Sequence, residues 1–194
     1  MSPPGTPILA AHYGLPQWVG AAVDWDVRLA TDAERMALAV ELSRQNVEHR
    51  TGGPFGAAIF ERESGKLVSV GVNLVVPAHD CTLHAEMVAF SLAGRRLESF
   101  TLHAPGLPEH ELFTSCEPCA MCMGAALWSG VRRVSFAAHG ADARELGFEE
   151  GPVSPEDHRY LAARGVVFEA GPLRAEARAV LALYKEGEGV LYNG

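Results

Sequence analysis

The stretches TLHAE at residues 82–86 and SCEPCAMC at residues 115–122 decide how this chain is interpreted. Together they form the pattern H-x-E followed by P-C-x-x-C, in which His84, Cys119 and Cys122 supply one imidazole and two thiols. A structural zinc site takes four protein ligands, whereas a catalytic site takes three and leaves one position open. This set of three ligands therefore predicts catalytic zinc.

Both stretches are predicted to begin helices, because residues 84–94 and 119–128 carry apolar side chains at helical spacing. Cys119 and Cys122 are three residues apart and share a helix face, so both sulfurs can reach one metal ion. The positive partial charge of a helix N-terminus favours the thiolates that zinc requires. Zinc lowers the pKa of a bound water to about 7. Glu86 is then placed to carry that proton to a leaving group, suitably an amine on an aromatic carbon.

A structural interpretation of the C-x-x-C pair is the main alternative. A closed four-cysteine site needs a second C-x-x-C, which the sequence lacks, and Cys81 and Cys116 do not form one. We expect Cys116 to be buried beside the site, and Cys81 to be either a loop thiol or a thiol next to the metal ligands. A zinc-stabilised binding module without catalysis stays open, although such a protein has no use for Glu86.

Composition narrows the class of protein and its partners. A chain of 194 residues suits one domain, and 48% hydrophobic with 21% charged residues is ordinary for a soluble globular protein. The formal net charge of −8 argues against a broad nucleic-acid-binding surface. The sequence shows no secretory signal and no apolar run of the ~20 residues that span a membrane, so we expect no membrane contact and a cytoplasmic location.

The order of elements predicts an α/β fold. Residues 1–30 are rich in Pro, Gly and Ala and are predicted to form an extended arm, part of which packs through Trp18 and Trp25. Residues 31–194 are predicted to form the catalytic domain with a C-terminal closing segment. Helices are predicted over residues 31–49, 84–94, 119–128, 156–164 and 173–184, and strands over 55–60, 67–72, 111–114, 131–137 and 166–169. Residues 140–155 are predicted to be an irregular connection. A three-layer α/β/α fold with a central five-stranded mixed sheet follows.

Several longer sequence segments resemble those of a known protein family. The H-x-E and P-C-x-x-C pair is the signature of zinc deaminases, so the chain resembles the cytidine deaminase superfamily over nearly its whole length after the arm. Within that superfamily the words resemble bacterial guanine deaminases, and the last two resemble a subgroup that also accepts the aminotriazine ammeline. These words are GPFGAAIF at 53–60, GVN at 71–73, HAE at 84–86, TSCEPCAMC at 114–122, LGFEEGP at 146–152 and GVLYN at 189–193.

The resemblance implies a role for each matching residue near the metal. The three ligands hold Zn²⁺ and Glu86 moves the proton. Asn73 is expected to hydrogen-bond the base, and the backbone N–H of Ala85 to hold the ring carbonyl. Asn73 also fits the end of a strand, which is the simpler alternative.

The resemblance further implies an aromatic pocket. Phe55 and Phe148 are expected to sandwich the base, and Trp128 to line the pocket. Glu150, rather than Glu149, is expected to hold the far edge of the purine and to help move protons. Core positions for the two phenylalanines and a solvated acidic turn at the glutamates stay open as alternatives.

The family pattern also concerns the C-terminal segment and the partners. This segment is expected to close the site through Tyr192, and is often exchanged between subunits, so a homodimer is implied. A surface position for Tyr192 is the alternative. The expected substrate is a small nucleobase, with guanine preferred. Cytosine, ammeline, guanosine and tRNA adenosine stay open, since the metal site does not discriminate among them.

Overall fold

The computed structural model describes residues 12–193 and contains a five-stranded sheet. Its strands are β1 Gly56–Glu61, β2 Leu67–Val72, β3 His110–Cys116, β4 Arg133–Ala138 and β5 Val167–Ala170. Their order is β2-β1-β3-β4-β5, with β1 antiparallel to both neighbours and β3, β4 and β5 parallel. The predicted mixed five-stranded sheet is confirmed. No helix among the described residues is long and apolar enough to cross a bilayer.

Helices cover both faces of this sheet. They are α1 Gln17–Ala22, α2 Asp32–Glu48, α3 Val75–Ala78, α4 Ala85–Arg96, α5 Ala120–Ser129, α6 Gly140–Leu146, α7 Pro155–Ala162 and α8 Arg174–Glu186. Helices α2 and α8 contact each other, as do α4 and α5. Along β1, Ala58 and Phe60 belong to the core cluster that contains α2 and α8 residues, whereas Ala57 and Ile59 belong to the cluster beneath α4 and α5. This alternation is the strand period of two, and it produces the three predicted layers.

Helix α2 begins where the sequence predicts. The Glu34 N–H donates to Thr31 Oγ1 at 3.3 Å, and the Thr31 N–H donates to Glu34 Oε2 at 2.9 Å. These two bonds are the reciprocal pair of a capping box, which satisfies backbone donors that the first turn leaves free. The helix therefore starts at a fixed residue, and its C-terminal end is placed next to the loop that precedes β1.

Two predictions about irregular segments are wrong. Residues 140–146 form α6 rather than a connection, because the Asp142 carboxylate accepts the His139 N–H at 2.8 Å and caps the helix. The predicted extended arm contains α1, with Val19 fully buried and the Trp18 ring stacked on His49 at 5.3 Å. Residues 1–11 of that arm lie outside the described residues.

The sheet register collects the predicted site residues at one edge. Gly56 pairs with Val72, and Ala57 pairs with Thr114. The start of β1, the end of β2 and the end of β3 therefore lie side by side. Phe55 precedes β1 and Asn73 follows β2, so these two predicted residues meet the metal-ligand segment that follows β3.

Candidate active site

Three side chains converge at the starts of two helices. His84 is the N-cap of α4, Cys119 is the N-cap of α5, and Cys122 lies in the first turn of α5. Both Cys119 Sγ and Cys122 Sγ approach His84 Nδ1, at 3.5 and 3.7 Å, and the three atoms lie within 4.8 Å of one another. Tetrahedral zinc with bonds of about 2.3 Å to sulfur and about 2.1 Å to nitrogen separates those atoms by about 3.6 Å. The residues present therefore fit a zinc ion.

The two thiols share charge in a way that suits a metal. The hydrogen bond with Cys122 lowers the pKa of Cys119 to about 4, and the same bond is the largest cause of the raised pKa of Cys122. This hydrogen bond therefore favours the thiolate form of Cys119. A bound zinc ion would take both sulfurs as thiolates and would release the proton of Cys122.

Glu86 lies beside the ligands and is buried. Its Oε1 accepts a hydrogen bond from Thr114 Oγ1 at 3.3 Å. Burial, followed by the charge of Cys119, raises the pKa of its carboxyl above the ordinary value. A carboxyl with a raised pKa takes and returns protons closer to neutral pH, which is what a proton carrier needs.

The metal-ligand residues open into a cavity of about 230 Å³. Most residues predicted from the sequence line it, namely His84, Glu86, Cys119, Phe55, Asn73, Phe148, Glu150 and Tyr192. Ala85 is buried and begins α4, so its N–H is one of the first amides of the helix, which have no partner within the helix. The structure therefore brings together residues that are up to 137 positions apart, counted from Phe55 to Tyr192.

Asn73 is fully buried and only half of its side chain has a partner. Its Oδ1 accepts from the Gly53 N–H at 3.4 Å and from the Val75 N–H at 3.3 Å. Its Nδ2 has no hydrogen-bond partner within residues 12–193, and the residue lines the cavity. Because an unpaired buried donor is costly, this amide is suited to a ligand with an acceptor.

The two predicted aromatic walls contact each other directly. The rings of Phe55 and Phe148 are 5.1 Å apart between centroids and inclined by 73°. A base held between two parallel rings needs about 7 Å between them, twice an aromatic contact of about 3.5 Å. The two rings leave no space for a base between them in this arrangement, and they form adjoining walls of the pocket.

The two neighbouring glutamates, Glu149 and Glu150, differ in how far their side chains are buried. Glu150 is 8% exposed, and burial followed by the charge of Cys119 raises its pKa to about 8. Glu149 is exposed, and its carboxylate accepts the Gly151 N–H at 2.9 Å. The burial and the raised pKa favour Glu150 as the acid that faces a ligand.

The C-terminal segment folds over the site of its own chain. Tyr184 Oη donates to the Val190 carbonyl at 2.8 Å, and Asn193 bonds to Gly147 O at 2.7 Å and to the Glu149 N–H at 2.9 Å. These contacts hold Tyr192 over the pocket, where its ring is 5.3 Å from Phe148 and 6.4 Å from His84.

Trp128 does not line the pocket of this chain. It is 80% exposed and lies near the end of α5, whereas Cys119 caps the start of the same helix. At about 1.5 Å per residue, nine positions separate the two residues by about 13 Å along the helix axis. Trp128 is therefore absent from the lining of this chain's own pocket, because the helix carries it away from the metal ligands.

Comparison with known proteins agrees with this geometry. Residues 29–138 match the model of the cytidine and deoxycytidylate deaminase zinc-binding region. The chain belongs to this family. It is 36% identical to guanine deaminase of Bacillus subtilis strain 168 over 130 residues, which are 67% of this chain and 79% of that protein.

Two solved structures extend the similarity of this deaminase-family chain to nearly its full length. The structure of guanine deaminase from Nitrosomonas europaea is 43% identical with a TM-score of 0.87, and covers 94% of this chain and 100% of that one. A structure in complex with 2,6-diaminopurine is 45% identical with a TM-score of 0.88, and covers 95% of this chain and 97% of that one.

The cavity of this deaminase-family chain has further lining residues, to which the sequence assigns no role in substrate binding. Cys81, Glu117, Met121 and Asn193 also line the cavity. Glu117 Oε2 accepts the Gly140 N–H at 2.8 Å and so ties the ligand segment to α6. Three of these residues, Glu117, Met121 and Asn193, lie inside the segments that resemble the family, and that position is a signal for them in the sequence. Cys116 is buried as expected, and Cys81 is exposed.

Proposed function

We propose that this chain is a zinc-dependent guanine deaminase, which converts guanine and water to xanthine and ammonia. The observation that carries the proposal is the convergence of a three-ligand zinc set, the buried Glu86 carboxyl, the unpaired Asn73 amide and the buried Glu150 in one cavity. Guanine deaminases of two bacteria are its relatives at 36% and 43% identity.

Glu86 performs the proton transfers in the proposed reaction. His84, Cys119 and Cys122 would hold a zinc ion, which would lower the pKa of a bound water and so supply a nucleophile at neutral pH. Glu86 accepts the proton of the water that attacks C2 of guanine and delivers it to the ring nitrogen. Glu86 then takes the proton of the new C2 hydroxyl and delivers it to the amine, so that the C2–N bond breaks, a C2 carbonyl forms and ammonia leaves.

The base is held from several sides in this proposal. Asn73 Nδ2 donates to a ring acceptor, the Ala85 N–H donates to the ring carbonyl, and Glu150 pairs with ring N–H groups at the far edge. With a pKa of about 8, Glu150 also exchanges a proton with the base near neutral pH. Phe55 and Phe148 supply apolar walls.

Ammonia release from a panel of compounds tests this function. The panel contains guanine, cytosine, ammeline, guanosine and a tRNA that bears the adenosine wobble base. Guanine is expected to give the highest kcat/KM. If ammonia is released faster from cytosine or from tRNA, that compound replaces guanine as the proposed substrate. If zinc-loaded protein releases no ammonia from any compound, the chain is a binding module without catalysis.

A homodimer belongs to the same proposal. Trp128 is 80% and Phe100 is 98% exposed, and both lie near the end of α5, where the Leu102 N–H donates to the Ser129 carbonyl at 2.6 Å. A second copy would cover this apolar surface, and exchange of the C-terminal segments would preserve the contacts of Tyr192. Sedimentation equilibrium is expected to give twice the chain mass of 20.7 kDa, and a monomer at micromolar concentration would contradict the dimer.

A cytoplasmic location, where thiols stay reduced, suits a site built on two thiolates.

A further inference from the structure

Asn46 lies near the end of α2, outside the lining of the pocket, and its side chain is fully buried. Its amide nitrogen donates to two carbonyl oxygens, those of Gly53 and Asn73, each at 2.9 Å. Its amide oxygen accepts from Thr51 Oγ1 at 2.7 Å. Both amide hydrogens and the amide oxygen are therefore engaged, and the two carbonyls belong to the two segments that border the pocket.

The orientation of the Asn46 amide is set by its partners. The Gly53 and Asn73 carbonyls can only accept, so they require the NH₂ group of the amide. The Thr51 hydroxyl accepts from Trp18 Nε1 at 2.9 Å and directs its single proton to Asn46 Oδ1. A rotated amide would place its oxygen against both carbonyls, so Trp18 of the N-terminal arm helps to fix the orientation.

These bonds act on Asn73, whose amide faces the pocket. The Asn73 N–H donates to the Phe55 carbonyl at 3.1 Å, and the Gly53 N–H donates to Asn73 Oδ1 at 3.4 Å. With Oδ1 held by backbone donors, Nδ2 is left to bind a ligand. If the Gly53 segment moves away from the end of β2, the side chain of Asn73 loses one of the bonds that orient it.

The close approach of the two segments also depends on glycine. A Cβ atom on Gly52 would lie 1.8 Å from the Asn73 carbonyl oxygen and 2.7 Å from Asn46 Nδ2. A Cβ on Gly53 would lie 2.2 Å from Tyr192 Oη. The loop at residues 52–53 therefore fits between Asn46 and the C-terminal segment only because both of its residues are glycines.

We propose that Asn46 is a positioning residue for the substrate-binding amide of Asn73, with Thr51 and Trp18 fixing its orientation. It acts by joining the Gly53 segment to the end of β2. The proposal rests on the proposed function for the substrate-binding role of Asn73 and for the choice of guanine as the assay substrate.

A double-mutant cycle on kcat/KM tests whether Asn46 acts through Asn73. Asn46→Ala is expected to lower kcat/KM for guanine at least tenfold, with zinc content unchanged. Asn73→Ala should lower it further, and the double variant should equal Asn73→Ala within twofold, because residues of one network are not additive. A purely structural role of Asn46 would lower the active fraction in both backgrounds, so additive losses would overturn the proposal.

Two further variants keep the test decisive. Ser43→Ala is the matched control, because Ser43 is equally buried in α2 but bonds to the Val40 carbonyl, and it should keep kcat/KM within twofold. If Asn46→Ala does not fold, Trp18→Phe removes the Nε1–H donor and leaves a smaller aromatic ring beside His49. It should lower kcat/KM two- to fivefold in wild-type protein and have no effect in Asn73→Ala protein.

Hydrogen exchange separates this proposal from the choice of substrate. Peptides that contain the Gly53 and Val75 amides should exchange at least tenfold faster in Asn46→Ala than in wild type and in the Ser43→Ala control. Unchanged exchange would overturn the proposal whichever base the wild-type protein deaminates. Faster exchange without guanine turnover in wild type would reject the substrate and keep the role of Asn46.

Discussion

Replacing Glu86 by glutamine separates catalysis from folding at this site. Glutamine keeps the size of glutamate, and its Oε1 can still accept the Thr114 hydroxyl bond, which is 3.3 Å long in the wild type. It cannot carry a proton. We therefore expect Glu86→Gln to retain zinc and to lose turnover.

The expected loss follows from the single function removed. General acid–base catalysis contributes about 10² to 10⁴ in rate, which corresponds to about 3 to 5 kcal/mol at 1.36 kcal/mol per factor of ten. The effect on stability has the opposite sign. Burial raises the pKa of Glu86, so the folded protein disfavours its charged form above the ordinary carboxyl range. The neutral variant lacks this penalty, and the metal-free variant should be at least as stable at pH 7 as the wild type.

The assay combines three measurements on the same preparation. Ammonia release gives kcat, elemental analysis gives zinc per chain, and urea unfolding after chelation gives stability. Glu63→Gln, an exposed acid in the turn between β1 and β2, is the matched control and should match the wild type. Turnover within tenfold of wild type at full zinc content would refute the role of Glu86, and loss of zinc would make Glu86 a structural residue.

Four other substitutions test the metal ligands, the two neighbouring glutamates and the capping residue of α6. Cys119→Ser should lower bound zinc at least fivefold, and full zinc content would remove this residue from the ligand set. Glu150→Gln should reduce turnover at least tenfold, about 1.4 kcal/mol, whereas Glu149→Gln should stay within twofold; the reverse order would exchange their roles. Asp142→Asn should lower the free energy of unfolding by about 1 to 2 kcal/mol at pH 7. The Arg174 hydrogen bonds lower the pKa of Asp142 from 3.8 to about 2, so this contribution is present above pH 3.8 and is lost as the pH falls through 2. Acid titrations of unfolding that stay parallel down to pH 2 would contradict it.

The metal site could be predicted because its geometry is local. Cys119 and Cys122 are three residues apart at a helix start, and His84 and Glu86 are two apart at another, so each pair is placed by the helix alone. Only the meeting of the two helices needed the sheet. Glu150 could be predicted because it lies in a segment that resembles the family. The burial of its side chain depends on the C-terminal segment that folds over it.

Features that depend on distant contacts could not be predicted. The inclination of Phe55 against Phe148 depends on how two remote segments pack. The link from Asn46 to the pocket could not be predicted either, because it passes through the carbonyl of Asn73, which is 27 residues away. Helix α6 was missed for a local reason, since His139 with Asp142 replaces the usual Ser or Thr with Glu in the capping pattern.

The placement of the three metal ligands also has a consequence for folding. His84 and Cys119 are 35 residues apart, and β3 lies between them. A metal bridge across them is a cross-link that closes this loop, and closing a loop of that length in the unfolded chain costs about 4 kcal/mol of conformational entropy. The ion that supplies the nucleophile would thereby also hold α4 and α5 together around a central strand. Loss of the metal would then lower the stability of the folded chain as well as its catalytic turnover.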